Sequence, residues 1–230
     1  MLIGVFSDAH GHVEAFERAQ GLLRSHGASE LYFLGDAVGY ITSPAVVERL
    51  QAAPEILALL GNHESMLLAN ATCDPKRAAV YRLDEVRAQL EPNQLAFLRT
   101  LPPSRRVDFD GLRVLFVHGS PSDPTYGYVY PDTDLSPFAG IDADVVFMGH
   151  THYPFVRTLF GRLFVNVGSC GLPRDEDPRG CAVLFDTIRC ETTILRYSIA
   201  ASSATLLAGW RVAPSVARHL ERYASYQENI

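Results

Sequence analysis

Seven side chains of metal-binding types occur in short polar stretches along the chain. They are Asp8, His10, Asp36, Asn62, His118, His150 and His152. All offer a ring nitrogen or an oxygen and none is a thiolate, so the set suits Mn, Fe, Zn or Ni rather than Cu(I) or an iron–sulfur cluster. Seven ligands exceed the needs of one tetrahedral zinc ion and predict two ions that share one carboxylate. Paired ions of this kind hold the attacking and leaving oxygens of an in-line phosphoryl displacement.

The stretch Gly149-His150-Thr151-His152 has the highest density of candidate ligands. It follows an apolar run at 144–148, so a strand is predicted to end there in a sharp turn. Alternate residues at a strand end can direct two imidazoles to neighbouring points, and transition metals bind neutral imidazole readily. Two solvated loop histidines would give the same pattern. The other stretches therefore decide between the two interpretations.

Four further apolar runs, at 2–7, 31–35, 56–61 and 114–117, also end directly before a candidate ligand. Short continuous apolar runs predict strands that are buried on both faces. Helical patterns at 12–26 and 43–52 separate the first three strands, and the second pattern has Ser43 as N-cap and Pro44 at the first helical position. This alternation predicts parallel strands, whose carboxyl ends are where ligands collect.

The remaining elements follow from periodicity and turn signals. Residues 62–101 are predicted to be helical, with breaks near 73–75 and 91–92. A hairpin is predicted for 105–109 and 112–117 across Asp110-Gly111. Further strands are predicted near 155–160, 162–167, 181–187 and 191–197, followed by two tail helices over about 200–226 that separate near Val212-Ala213-Pro214. The whole chain, 1–230, is predicted to form one domain with the tail helices as an appendage.

Composition restricts the class of protein. The chain has 230 residues, 47% of them hydrophobic, and a net charge of −6, which argues against a nucleic-acid partner but leaves a phosphate substrate possible at a metal site. No apolar stretch reaches the roughly 20 residues of a membrane span, and residues 1–6 lack a signal peptide's basic region, so a cytoplasmic location is expected.

The cysteines Cys73, Cys170, Cys181 and Cys190 are expected to be free thiols, although Cys181 and Cys190 could face each other across a hairpin. Composition leaves the oligomeric state open.

The loop from Ser120 to Gly140 is long for a connection inside a compact domain. It carries Tyr126, Tyr128 and Tyr130 among several prolines. Ordinary loop packing is one interpretation. The other is a wall over a substrate site, with a tyrosine stacked on the non-phosphate portion of the substrate, a nucleoside by hypothesis.

Five stretches resemble the five sequence blocks of the calcineurin-like metallophosphoesterase superfamily, in order and in approximate spacing. They are Asp8-x-His10, Gly35-Asp36-x-x-Gly39, Gly61-Asn62-His63-Glu64, His118-Gly119 and Gly149-His150-x-His152. The stretches 118–121, 166–169 and 171–175 resemble the small bacterial and archaeal phosphoesterase branch, as do the tail helices, so the resemblance extends over nearly the whole chain. The resemblance implies an α/β fold, a four-layer α/β/β/α sandwich of two mixed sheets flanked by helices.

The resemblance also implies roles for individual residues. One ion would be held by Asp8, His10, Asp36 and His152, and the other by Asp36, Asn62, His118 and His150. Asp36 would bridge, and a metal-bridging hydroxide would be the nucleophile. His63 would not bind metal but would act as general acid beside the leaving group.

The sequence departs from the family pattern at three places. Protein Ser/Thr phosphatases and symmetrical diadenosine tetraphosphatases carry a phosphate-binding Arg where Gly39-Tyr40 stands here. Arg174 is either its replacement or a surface ion-pair residue. The carboxylate that orients the catalytic histidine in protein phosphatases is also missing, with Glu64 as a candidate substitute. His12 replaces a usual Asn and is either a substrate contact or a solvated histidine.

The expected function is metal-dependent hydrolysis of a small phosphorylated molecule, a phosphomonoester or phosphodiester and possibly a nucleotide. The alternatives are a dinucleoside polyphosphate hydrolase, a protein phosphatase, a nuclease and a catalytically inactive scaffold. The complete ligand set and His63 favour an enzyme over a scaffold. Neither the length nor the charge indicates the additional DNA-binding domain of nuclease relatives.

Overall fold

Ten strands and eight helices make up the computed structural model, which describes residues 1–70 and 74–227. The strands are β1 (Leu2–Phe6), β2 (Glu30–Phe33), β3 (Ile56–Ala58), β4 (Ser104–Phe109), β5 (Leu112–Val117), β6 (Val145–Met148), β7 (Phe155–Leu159), β8 (Arg162–Asn166), β9 (Gly180–Asp186) and β10 (Glu191–Tyr197). The helices are α1 (Val13–Ser25), α2 (Ala45–Ala52), α3 (Asn62–Ala69), α4 (Pro75–Tyr81), α5 (Leu83–Arg87), α6 (Pro92–Thr100), α7 (Ala200–Gly209) and α8 (Pro214–Ala224).

The strands form two mixed sheets of five strands each. The first has the order β10-β9-β1-β2-β3, in which β1, β2 and β3 are parallel to one another. Strand β9 is antiparallel to both of its neighbours, β1 and β10. The second has the order β4-β5-β6-β8-β7, in which β5, β6 and β8 are parallel and the edge strands antiparallel. The predicted two-sheet α/β fold is confirmed. Because β1, β2, β5 and β6 each end at a candidate ligand, the sheets bring these ligands together.

The core explains why the strand sequences are continuously apolar. Tyr32 and Leu34 face the second sheet, whereas Leu31 and Phe33 pack under the helices, so both faces of β2 are buried. Between the sheets the Tyr32 ring stacks on Phe116 at 4.1 Å. The outer face of the second sheet is covered by the long loop, which buries Val129 and Leu135 there and contains a short 3-10 turn at Ser136–Phe138. The loop therefore does pack as structure, in addition to any role at the site.

The observed element boundaries lie close to the predicted ones. The β4–β5 hairpin turns at Asp110 and Gly111, both with positive φ as a type I′ turn requires. The helix predicted to start at Pro44 begins at Ala45, and Ser43 Oγ accepts a bond from the Ala45 amide. The helical region also breaks at Arg82, whose φ is 54°.

The cysteines do not pair across the β9–β10 hairpin. Cys181 lies opposite Arg196 in the register, and Cys190 precedes β10 and is exposed. Cys170 and Cys181 are buried free thiols, while Cys73 lies outside the described residues. Nowhere in the described part of the chain is a helix long and apolar enough to cross a bilayer.

Candidate metal centre

The candidate ligands lie on the loops that follow the parallel strands. Five of the seven have a left-handed backbone, with φ between 51° and 66°: Asp8, His10, Asp36, His150 and His152. Such conformations cost free energy in residues with a Cβ, and they persist only where the surrounding structure enforces them. The concentration of strained backbone at one end of the sheets is typical of a functional site.

A buried carboxylate holds the loop that carries Asp36. Glu64 accepts hydrogen bonds from the amides of Asp36 at 2.8 Å, Gly61 at 2.9 Å and Val38 at 3.1 Å. The Asp36 side chain in turn accepts a bond from the His63 amide at 2.9 Å. Glu64 therefore positions the Asp36 loop, and His63 Nδ1 has no hydrogen-bond partner among the described residues, which corrects the interpretation of Glu64 as an orienting partner for that histidine.

The segment 166–172 holds the loops that follow β1 and β6. The side-chain amide of Asn166 donates to the Gly149 carbonyl at 2.7 Å, and Ser169 Oγ donates to the Asp8 carbonyl at 2.7 Å. Asp8 Oδ2 accepts a bond from the His150 amide at 3.1 Å, so the loops after β1 and β6 are tied to each other as well.

Three imidazoles have their tautomers set by backbone carbonyls, which can only accept. Nδ1 of His10, His118 and His152 lies 3.1, 3.0 and 2.5 Å from the carbonyl oxygens of Val38, Leu34 and Leu172. Each Nδ1 therefore carries the proton in the neutral ring, and each Nε2 presents a lone pair to the centre. This arrangement is typical of metal-binding histidines.

The first cluster consists of Asp8, His10 and His152. The Nε2 atoms of His10 and His152 lie 3.0 Å apart, and Asp8 Oδ1 lies 3.2 Å from His152 Nε2. Two lone pairs at this distance repel unless a cation lies between them. Ligand atoms about 2.1 Å from one ion are separated by roughly 3–3.5 Å. Asp8 Oδ1 is buried without a hydrogen-bond partner, as expected of an oxygen that binds a cation.

The second cluster consists of Asp36, His118 and His150, with Asn62 beside it. His118 Nε2 lies 2.9 Å from Asn62 Oδ1 and 3.2 Å from His150 Nδ1. Asp36 Oδ2 lies 3.5 Å from His118 Nε2 and 3.6 Å from His10 Nε2. One carboxylate oxygen thus stands between the two clusters.

The electrostatics of the centre favour cation binding. Burial opposes ionisation of Asp36, but the neighbouring histidines His118, His63 and His10 together outweigh it and keep the Asp36 pKa below its usual range. Burial also opposes protonation of His118, but Asp36 raises the His118 pKa to about 9, so a metal ion held by Nε2 would replace a proton there. Burial lowers the pKa of His150 and of His152 to about 4, so both are neutral and available as ligands near pH 7.

Residues 1–188 match the family model described as the calcineurin-like phosphoesterase superfamily domain. The chain belongs to the calcineurin-like phosphoesterase superfamily. It is therefore a phosphate ester hydrolase of a metal-dependent family, and the His/Asp clusters are residues that could hold the metal.

Individual relatives agree with this assignment. The phosphoesterase is 28% identical over 215 residues to an uncharacterized protein of Methanocaldococcus jannaschii, covering 85% of this chain and 86% of that one. It is 27% identical over 200 residues to a protein named "Probable metallophosphoesterase" from Methanothermobacter thermautotrophicus, covering 85% and 92%. A crystal structure of a metallophosphoesterase from Sphaerobacter thermophilus has a TM-score of 0.78 at 28% identity, covering 97% and 99%.

His63 of the phosphoesterase lies beside the two clusters, with Nε2 3.9 Å from Asp36 Oδ2. Its ring contacts those of Tyr40 at 4.9 Å and Tyr81 at 4.6 Å. A Cβ at Gly39, where φ is +91°, would clash with the imidazole, so glycine is required there. Nδ1 of His63 has no hydrogen-bond partner within the described residues. Geometry alone also permits a ligand group of His10, Asp36 and His63.

His12 was predicted as a site residue, but the structure does not place it in the lining of the metal centre's cavity. Its ring is buried, with Nδ1 3.0 Å from the Gly171 carbonyl and Nε2 2.9 Å from Ser202 Oγ. Burial lowers its pKa to about 4, so the ring is neutral near pH 7. Both nitrogens are engaged in joining α1 to α7 and the 169–172 segment. This placement corrects the interpretation of His12 as a substrate contact and also that of a solvated histidine.

The three loop tyrosines have different surroundings. Tyr128 lines the metal centre with its ring 4.1 Å from that of His150, and it is 57% exposed. Tyr130 stacks on the far side of Tyr128 at 6.0 Å. Tyr126 donates to Ser65 Oγ at 2.9 Å. Only Tyr128 of the three reaches the cavity of the centre.

Arg174 also lines the cavity of the metal centre, where its guanidinium donates to the Tyr40 hydroxyl at 2.8 Å. Sequence reasoning missed the two tyrosines beside His63, Tyr40 and Tyr81. Tyr40 stood in the place of the family arginine, which was a usable signal. Tyr81 ends a short helix with no motif around it, so only the tertiary structure identifies it.

Proposed function

We propose that the phosphoesterase hydrolyses a small phosphorylated molecule with two divalent transition-metal ions per chain. The observation that carries this proposal is the pair of adjacent ligand clusters with Asp36 Oδ2 between them, 3.5 Å from His118 Nε2 and 3.6 Å from His10 Nε2. An exclusively structural polar cluster would leave unexplained why Asp8 Oδ1 is buried without a hydrogen-bond partner.

The ligand assignment divides the set around Asp36. One ion would be held by Asp8, His10 and His152, and the other by Asn62, His118 and His150, with Asp36 available to both. Bound divalent ions would supply Lewis-acid activation of the phosphoryl group and of water. The backbone carbonyls bonded to Nδ1 of His10, His118 and His152 leave the Nε2 atom of each ring free to hold an ion.

His63 is assigned as the general acid that protonates the leaving oxygen. It lies at the edge of the centre, 3.9 Å from Asp36, and Tyr40 and Tyr81 hold its ring on two sides. Burial lowers its pKa to about 3 in the free chain. A bound phosphate dianion beside the ring favours the protonated form, because an adjacent negative charge raises the pKa of a histidine.

Arg174 and Tyr128, which both line the cavity, are assigned as substrate contacts. Arg174 forms no ion pair with a carboxylate within residues 1–70 and 74–227, so its guanidinium can bind a phosphate oxygen in place of the family arginine. Tyr128 covers His150 and offers an exposed ring to the substrate.

The test combines metal analysis with an activity screen. The Mn-loaded chain is expected to contain two ions and to hydrolyse at least one class among phosphomonoesters, phosphodiesters, dinucleoside polyphosphates and phosphopeptides. Asp36→Ala should lose both ions, whereas Asp132→Ala, an exposed acid of the long loop, should keep them. Saturation at one ion would contradict the two-ion centre. Full metal loading without hydrolysis of any class would favour the inactive scaffold.

A further inference from the structure

A second cavity, here called the α8 pocket, lies beside the metal centre between α4, residues 172–174 and α8. Its volume is about 160 Å³. Val80, Leu172 and Val216 form its apolar lining, and Ser215 and His219 add polar groups. A cavity of about 150 Å³ holds one benzene-sized molecule, so this pocket accommodates a single ring and not a whole nucleoside. Helix α8 lies outside the residues that match the family model.

The α8 pocket and the metal centre share two walls, Tyr40 and Arg174. On the side of the metal centre, the Tyr40 ring contacts His63 at 4.9 Å. A general acid must lie at the leaving oxygen, so the alcohol portion of the substrate departs on the side of His63 and Tyr40. That side adjoins the α8 pocket, whereas Tyr128 lies over His150 elsewhere in the centre.

The charges around the α8 pocket are positive, although the chain as a whole is negative. Burial, followed by the charges of Arg174, Arg222 and Arg218, lowers the pKa of His219. Arg222 donates to the backbone carbonyls of Pro173 and Asp175 and not to a carboxylate. Among the described residues, none of the three arginines has a carboxylate oxygen within 4.0 Å. Unpaired cations around a small cavity attract an anionic group.

We propose that the α8 pocket binds the alcohol portion of the substrate, and that this portion is an anionic group no larger than a single ring. This inference rests on the proposed function, because it takes the phosphoryl group to be bound at the metal centre. It narrows the substrate class to phosphate esters of small organic acids. A nucleotide would have to direct its nucleoside away from the α8 pocket.

A matched pair of esters tests the charge of the alcohol portion. 4-Carboxyphenyl phosphate and 4-carbamoylphenyl phosphate have the same shape, but only the first carries a negative charge on its ring. With the Mn-loaded full chain, kcat/KM should be at least tenfold higher for the carboxylate. Equal values, or a higher kcat/KM for nucleoside monophosphates than for 4-carboxyphenyl phosphate, would overturn the proposal.

Substitutions within and beside α8 test whether the alcohol portion of the substrate binds in the α8 pocket. Ser215→Trp fills the α8 pocket and should abolish the preference for the carboxylate, whereas Ser225→Trp places the same bulk at the exposed end of α8 and should retain it. His219→Phe provides a second block if Ser215→Trp does not fold. A correctly folded blocking variant that keeps the wild-type preference would overturn the proposal.

A binding measurement separates this inference from the proposed function. Ligand-observed NMR of 4-hydroxybenzoate with the full chain, without added metal, should show binding that Ser215→Trp or His219→Phe removes and Ser225→Trp retains. Binding without any ester hydrolysis after metal loading would refute the proposed function and leave the α8 pocket as an acid-binding site. Hydrolysis without binding of 4-hydroxybenzoate would refute the α8 pocket alone.

Discussion

His63 contacts Gly39, Tyr40 and Tyr81 and is assigned no metal, so its loss should affect proton transfer alone. We expect His63→Ala to lower kcat by roughly 10²–10⁴, the usual range for a positioned acid or base. An alkyl phosphate should be affected more than an aryl phosphate, whose better leaving group needs less protonation. Steady-state kinetics and metal analysis check this. The control is His26→Ala, an exposed histidine after α1. Loss of metal in His63→Ala would make His63 a ligand.

Replacing Glu64 should weaken metal binding and lower stability although no metal ligand is removed. Its two oxygens accept three backbone amides around Asp36, and Gln can offer only one acceptor oxygen. We expect Glu64→Gln to lower the free energy of unfolding by about 1–3 kcal/mol and to weaken metal binding about 10–100-fold. Denaturant unfolding and metal titration measure the two effects. The same change at the exposed Glu85 should alter neither by a comparable amount, and parallel behaviour of the two variants would refute the positioning role.

At the scale of elements, two parts of the loop from Ser120 to Gly140 make different contacts. Val129 and Leu135 cover the second sheet, whereas Tyr128 reaches the metal centre. We expect Tyr128→Ala to lower kcat/KM roughly tenfold, equivalent to about 1.4 kcal/mol, because an exposed ring over His150 loses its contact with the substrate. Tyr126→Ala and Tyr130→Ala should have smaller effects.

The choice of substrate sharpens the Tyr128 experiment. A loss confined to nucleotides would assign the ring to a nucleobase, and a loss shared with aryl phosphates would assign it to the phosphoryl end. If all three tyrosine variants behave like the unchanged chain toward both substrates, the loop serves only to cover the sheet.

At the scale of the whole molecule, the metal centre joins the two sheets. His10 and Asp36 follow strands of the first sheet, and His118 and His150 follow strands of the second. Ions that bind only the folded chain stabilise it by about 2.7 kcal/mol each at one hundred times Kd. For a chain of this size that corresponds to roughly 5–10 °C in Tm per ion.

Calorimetry with and without a chelator measures this stabilisation. The Tm should fall on chelation and recover when Mn is added back. Asp36→Ala should start from the lower Tm and respond to neither treatment. An unchanged Tm in the parent chain would show that the centre does not contribute to holding the sheets together.

The candidate ligands, the order of the elements and the family could be predicted from the residue pattern alone. Strand ends can be predicted because burial on both faces leaves continuous apolar runs, and a polar residue that breaks such a run marks the edge of the sheet. Asp8, Asp36 and His118 are each found in this way. The hairpin turn at Asp110-Gly111 is equally local, since its φ values depend on two residues.

Which of these residues meet, and what surrounds them, could not be predicted from the residue pattern. His10 and His152 are separated by 142 positions but have ring nitrogens 3.0 Å apart, and no local spacing encodes that distance. His12 sits two residues from a ligand, yet its ring points to Ser202 because the chain reverses direction between them. The α8 pocket arises where α8, from the end of the chain, packs beside Tyr40 and Arg174. Such contacts depend on how helices and sheets pack, and packing depends on residues far apart in the sequence.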